Sequence, residues 1–229
     1  MPTAWTVDLG SMAYQPAWDL QRRVGQKVLD GEWPDVVLTV EHPPVYTVGR
    51  AAHGTLTNLL WDEDHLQAEG IEVFQVDRGG DITYHGPGQL VGYPILNLNR
   101  YGRDLHLYLR RLEDALIRAL LVFGIEAGRM PPHTGVWVGN EKIAAIGVKA
   151  SRWVTQHGFA LNVDPNLAHF SGIIPCGIQD KGVTSMRRLL DRPVTLAEVR
   201  PVVLEKLAEV FSLTLTTKTL SELEMSAAG

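Results

Sequence analysis

Leu105, Leu109, Leu112, Leu116, Leu120 and Phe123 recur every three or four residues between Asp104 and Gly124, and no other feature restricts the fold of this chain so strongly. That period puts one continuous apolar face on an α-helix, with Asp104 as N-cap acceptor and Gly124 as C-terminal stop. A helix of this kind has to bury its stripe against another layer. Pro16 fits the first turn of a second helix, which carries Leu20, Val24 and Val28 and ends at Gly31. Thr195-Leu196-Ala197-Glu198 reads as a capping box opening a third, with Val199, Val203, Leu207 and Val210 on one face. Pro201 is expected to kink or restart that helix.

The opposing layer comes from runs rich in Val and Ile at 36–40, 71–76, 90–98, 135–138, 142–149, 154–163 and 213–217. Gly139-Asn140 and Ser151-Arg152 lie between such runs as hairpin turns, which predicts a sheet that is largely antiparallel or mixed. The expected fold class is α+β, a mixed β-sheet packed with helices. The chain has 229 residues, 45% hydrophobic and 21% charged, with no repeat and no linker-like stretch. A single domain over 1–229 is the expectation, and a monomer.

A formal net charge of −5 supplies no field for wrapping polyanions, so nucleic acid is not expected as a partner. Residues 1–10 lack a basic region followed by an apolar run, and no segment reaches the roughly 18 apolar residues of a membrane span. No membrane association and a cytoplasmic location are therefore expected. One cysteine excludes an internal disulfide, a Cys-rich zinc site and an iron–sulfur cluster held by this chain alone. The histidines show no His-x-x-x-His spacing, and no metal is expected.

Chemistry concentrates in a few places. Residues 77–89 follow a strand and set four glycines among Arg78, Asp81, Tyr84 and His85; such glycines let a ligand approach the backbone closely. The segment is neither a Walker A loop nor a dinucleotide fingerprint. His85 alone reads as a pocket residue. Cys176, in Ile174-Pro175-Cys176-Gly177-Ile178, is either core filler, as free cysteines usually are, or a nucleophile on a sharp turn with backbone N–H groups beside it. A nucleophilic thiol needs a nearby cation or base. Lys142, at the edge of the apolar strand run 142–149, is a candidate; the alternative is a strand-edge lysine that guards against aggregation.

Residues 78–89, then Lys142-Ile143-Ala144-Ala145-Ile146-Gly147, His157-Gly158-Phe159-Ala160-Leu161-Asn162 and 174–178, in that order, closely resemble the lipoyl(octanoyl) transferases. The stretch 41–50 (Glu-His-Pro-Pro-Val-Tyr-Thr-Val-Gly-Arg) does so too, and the likeness covers roughly 35–190. The resemblance implies a biotin/lipoate protein ligase-like fold. It also implies transfer of octanoyl from octanoyl-acyl carrier protein to a lysine ε-amine on lipoyl domains of 2-oxoacid dehydrogenase complexes and on the glycine cleavage H protein. Carried over by position, Cys176 would hold the acyl thioester and Lys142 would activate the thiol. Arg78, Gly79, Gly80, Asp81, Ile82, Thr83, Tyr84 and His85, with Ala145, Ile146 and Gly147 and with Gly158, Phe159 and Ala160, would bind the acyl group. Thioester to amide is downhill, so no ATP or other cofactor is expected. Val45, Ile143, Ile146 and Phe159 are candidates for the wall of an acyl tunnel, and Arg187 and Arg188 for a carrier-docking patch. Three rivals remain open on the residues: an ATP-dependent ligase of the same fold, a cysteine hydrolase and a silent acyl-binding module.

Overall fold

The computed structural model describes residues 1–174 and 181–226. In chain order these form β1 (Thr3–Ser11), α1 (Tyr14–Leu29), β2 (Asp35–Glu41), β3 (Val45–Val48), α2 (Glu63–Ala68), β4 (Glu72–Gln75), β5 (Ile82–His85), β6 (Gln89–Ile95) and α3 (Leu105–Val122). There follow β7 (Gly128–Met130), β8 (His133–Val138), β9 (Glu141–Ser151), β10 (Val154–Asn162), β11 (Gly182–Val183), α4 (Met186–Leu190), α5 (Leu196–Phe211), β12 (Thr214–Lys218) and α6 (Leu220–Met225).

The main sheet runs β12-β1-β2-β6-β10-β9-β8-β7, with β11 added beside β9. β1 lies parallel to β12 and β2, β11 lies parallel to β9, and the other pairs are antiparallel, so the sheet is mixed. A small sheet, β4-β3-β5, stands apart from it. The layering follows from burial of both faces. On β2, Val37 joins the core formed with α3 and α5, while Val36, Leu38 and Val40 join the core formed with α1 and α6. Residues 35–40 are accordingly all buried. A strand covered on both sides reads as a continuous apolar run, not as an alternation.

The leucine stripe forms α3 as expected. Asp104 Oδ1 accepts the Leu107 N–H at 2.9 Å, Gly124 follows the C-cap with φ +79°, and Leu112, Leu116 and Leu120 are buried. The Thr195–Glu198 capping box is closed in both directions. Of the two outcomes expected at Pro201, a kink or a restart, the restart does not occur: α5 continues from Leu196 to Phe211. Proline in the second turn forfeits one backbone bond and leaves the buried Val199, Val203 and Leu207 face intact. Both expected hairpins are present, joining β8 to β9 at Gly139 (φ +56°) and β9 to β10 at Arg152 and Trp153 (φ +49° and +67°).

β1, β3, β5, β7 and β11 lie outside the runs that the sequence pattern marks as strands. β5 is the instructive one, because the second half of the glycine-rich segment is a strand and not a loop. Among the described residues no helix is long and apolar enough to cross a membrane.

Candidate active site

Over the middle of the sheet, β6, β10 and β9 form the floor of a narrow slot. Its lining includes Val91 and Tyr93 from β6, Gly158, Phe159 and Ala160 from β10, and Lys142, Ala145, Ile146 and Gly147 from β9. The walls come from Tyr14 at the start of α1 and from Arg78, Gly80, Ile82, Thr83 and His85. Close backbone approach makes glycine necessary here. A Cβ on Gly158 would stand 2.1 Å from the Gly92 carbonyl oxygen, and one on Gly147 would stand 2.9 Å from that of Gly79. The Gly79 N–H in turn donates to the Val148 carbonyl at 2.8 Å, which lays the 78–80 turn along β9.

The polar wall is a closed chain of hydrogen bonds. Buried Arg78 donates through Nε and Nη2 to Thr47 Oγ1 at 3.3 and 2.9 Å, and through Nη2 to the Thr47 carbonyl at 2.6 Å. With both lone pairs engaged, the Thr47 hydroxyl has its proton left for His85 Nε2, 3.4 Å away. His85 therefore carries its proton on Nδ1 and donates it to Gln89 Oε1 at 3.1 Å. Gln89 Nε2 donates to Asn162 Oδ1 (2.9 Å), Asn162 Nδ2 donates to the Thr184 carbonyl (2.9 Å), and the Thr184 N–H donates to the Lys142 carbonyl (3.0 Å). The arginine turn and the lysine strand are thus tied together through five intervening residues, Thr47, His85, Gln89, Asn162 and Thr184.

Burial decides the charge states in this wall. It pushes the His85 imidazole well below its ordinary value and takes His42 down to about 4, so both are neutral at pH 7. His42 donates from Nδ1 to the Met12 carbonyl and accepts the Tyr93 hydroxyl proton at Nε2, each at 2.7 Å. His157 adopts φ +58°, unusual for a non-glycine residue within a strand. It is held there by Gln21 Oε1, which accepts its N–H at 2.9 Å, and by Asp77 Oδ1, which accepts Nε2–H at 2.7 Å. That bond, together with Lys149 at 2.5 Å on the other carboxylate oxygen, holds the Asp77 carboxyl far below the usual carboxylate range.

Lys142 is 7% exposed. Its Nζ lies 4.8 Å from the centre of the Trp137 ring, a cation–π distance. Gly135, beside its stem, has φ +131° and comes so close to the neighbouring strand that a Cβ there would stand 2.8 Å from the Ala144 carbonyl oxygen. The Gly135 N–H is fixed by buried Glu113 Oε1 at 3.1 Å, and Arg110 and Arg129 neutralise that carboxylate. Lys142 also pairs with Val183 of β11.

Most of the residues expected to bind the acyl group converge on the slot. Gly79 lies instead in an adjoining trough. Asp81 and Tyr84 do not line the slot: Asp81 accepts from Asn58 Nδ2 and from the Ile82 N–H, and the buried Tyr84 hydroxyl bonds His169 Nδ1 at 2.7 Å. Strand alternation on β5 sends Thr83 and His85 one way and Tyr84 the other. Of the suggested tunnel residues, Ile146 and Phe159 line the slot. Val45 packs with Tyr14, Trp18 and Val76, and Ile143 enters the core with α3 and α5. Cys176 lies outside the described residues. Tyr14, Val91, Tyr93 and His157 line the slot without having been picked from the sequence as site residues; only the position of His157 beside Gly158 offered a signal. Among the described residues no group of three or more His, Cys, Asp or Glu could hold a metal ion.

A mixed sheet between helical layers, with a slot walled by a glycine-rich turn and lined by a buried lysine, defines the biotin/lipoate protein ligase class of fold. Solved structures agree. Lipoate-protein ligase A bound with ATP superposes with a TM-score of 0.75 at 17% identity, covering 100% of this chain and 93% of that one. The bipartite lipoate protein ligase of Thermoplasma acidophilum does so with a TM-score of 0.73 at 16% identity, over 100% and 91%. The model of the lipoyl protein ligase A/B catalytic domain matches residues 13–208, and the chain belongs to that family. It is also 53% identical to the octanoyltransferase of Rubrobacter xylanophilus over 202 residues, 88% of this chain and 90% of the relative.

Proposed function

We propose that this protein, acting as one catalytic domain, moves an octanoyl group from the thioester of an octanoyl-acyl carrier protein to the ε-amine of a lysine on a lipoyl domain. The observation that carries the reading is Lys142, the only lysine lining either cavity among the described residues, where the slot and the trough share their lining. The 53% identity to an octanoyltransferase supports it.

Cys176 is the proposed nucleophile. Of the described residues that flank it, Ile174 donates its N–H to the Asn58 carbonyl at 2.9 Å, and Val183 pairs with Lys142 at the site. The resting pair is a Cys176 thiolate and a Lys142 ammonium. The thiolate attacks the carrier thioester carbonyl, backbone N–H groups near Gly177 and the glycine turns stabilise the oxyanion, and the carrier sulfur leaves with the Lys142 proton. The acceptor amine then attacks the Cys176 thioester and gives its proton to neutral Lys142, which regenerates the starting pair. Arg78, Gly80, Thr83 and His85, the 145–147 segment and the 158–160 segment enclose the octanoyl chain. No ATP enters this balance. Arg188, suggested for carrier docking, pairs with Glu141 at 3.3 Å next to Lys142, so a carrier carboxylate would compete with an existing partner.

Intact-protein mass spectrometry after mixing with octanoyl-acyl carrier protein without ATP tests the reading. One octanoyl adduct is expected, absent in Cys176→Ser and discharged by a lipoyl domain. Transfer that requires free octanoate and ATP would instead place the protein among the ligases.

A further inference from the structure

The slot does not end at Lys142. A trough continues from it and shares Gly80, Lys142, Ile146 and Gly147 with it. Leu105 and Leu109 of α3, His133 and Thr134 of β8 and Arg50 stand in its lining. In a chain of net charge −5, no carboxylate lines the trough among the described residues.

Arg50 is mounted rigidly and left free to act. The N–H groups of Gly49, Arg50 and Ala51 donate in succession to the carbonyls of Asp81, Arg78 and Gly80, each at 3.0 Å. Gly49 is required for this approach, since a Cβ there would lie 2.4 Å from the Gly80 carbonyl oxygen. The Arg50 side chain is exposed and makes no ion pair among the described residues.

An acyl carrier presents its thioester at the tip of a phosphopantetheine arm, a chain of two amides and a branched dimethyl unit that ends in a phosphodiester anion. If the acyl chain fills the slot and the thioester carbon stands at Lys142, the arm has to leave along the trough. We propose that the trough seats this arm, with Leu105 and Leu109 against its dimethyl unit, and that Arg50 determines donor specificity by binding the phosphodiester. A guanidinium fork suits a phosphate and gives strong charge-assisted bonds to it. A lysine acceptor carries no such anion, so the same passage serves the second half-reaction without this contact. The inference rests on the proposed transferase reading.

Octanoyl-4′-phosphopantetheine and octanoyl-pantetheine differ only in the phosphate, and each can be used to acylate the full chain while kcat/KM for adduct formation is followed. The wild type should favour the phosphorylated donor by about tenfold or more, the size of one charge-assisted hydrogen bond. Arg50→Ala should bring the ratio near one, Arg50→Lys should retain part of it, and Arg152→Ala, at a distant hairpin, should keep it whole. Equal rates for the two donors in the wild type, or a ratio that survives Arg50→Ala, would overturn the assignment of Arg50 while leaving the transferase reading intact. If neither donor leaves an adduct, the transferase reading fails and this one with it.

Discussion

The slot and the trough share Lys142, Ile146 and Gly147 but are built in opposite ways. In the slot, Arg78, His85 and His157 are buried, and Thr47, Gln89 and Asn162 tie the polar wall into one bonded chain. In the trough, Arg50 and Pro132 are exposed, Leu105, Leu109, His133 and Thr134 are half-buried, and the side chains of Arg50 and Thr134 make no hydrogen bond among the described residues. In the proposed reaction the acyl chain is the same in both half-reactions, whereas the arm outside it changes from carrier to lysine. A locked wall suits the constant part of the substrate and an open one suits the part that varies.

Arg50 apart, substitutions should therefore cost most at the boundary, less in the slot and least in the trough. Lys142→Ala should lower the rate of octanoyl transfer by about 10²- to 10⁴-fold, the usual worth of a positioned acid–base group; a loss below threefold in single-turnover assays would remove Lys142 from the mechanism. The next effect is on stability. Burial takes His42 down to about 4 from its ordinary value of 6.5. At pH 7 it is neutral in both folded and unfolded chains. As the pH falls below about 6.5 the unfolded chain takes up the proton first, so stability is lost down to about pH 4, by about 3 kcal/mol for this group. Urea melts should show that fall, and His42→Asn should flatten it; an unchanged slope would show that the wall titrates elsewhere.

Gly158→Ala forces a methyl group to 2.1 Å from the Gly92 carbonyl, and overpacking of this kind costs about 1–3 kcal/mol. It should appear as a lower urea midpoint with the same m-value. Ala160→Val narrows the slot by two methyl groups, so hexanoyl should gain on octanoyl by about tenfold in kcat/KM, the scale of one methylene in an apolar pocket. Chain-length preference that ignores this change would place the acyl group elsewhere. In the trough, Thr134→Ala should change stability by about 0.5 kcal/mol or less and the acylation rate by about twofold or less. A large loss there would break the contrast between the two cavities.

Much of the candidate site was legible in the sequence because it lies in contiguous motifs. Arg78 and His85 are close along the chain, and 142–147 and 157–160 are each part of one strand. Tyr14 and Tyr93 were not legible, because a tyrosine opening a helix and a tyrosine on a buried strand look like core residues until α1 is laid over β6. Tyr84 was grouped with its motif, although pleating of β5 turns it away from the slot.

The sequence by itself determined the long amphipathic helices, the longer strands of the main sheet and the two hairpins, because each depends on spacing within a short stretch of chain. Only the tertiary structure decided that β6, β10 and β9 lie side by side and that a hydrogen-bonded chain runs from Arg78 to Lys142. It also decided that Arg50 stands in a carboxylate-free trough. Those facts depend on strand order and register, which bring together residues far apart in the chain, and no local period encodes that convergence.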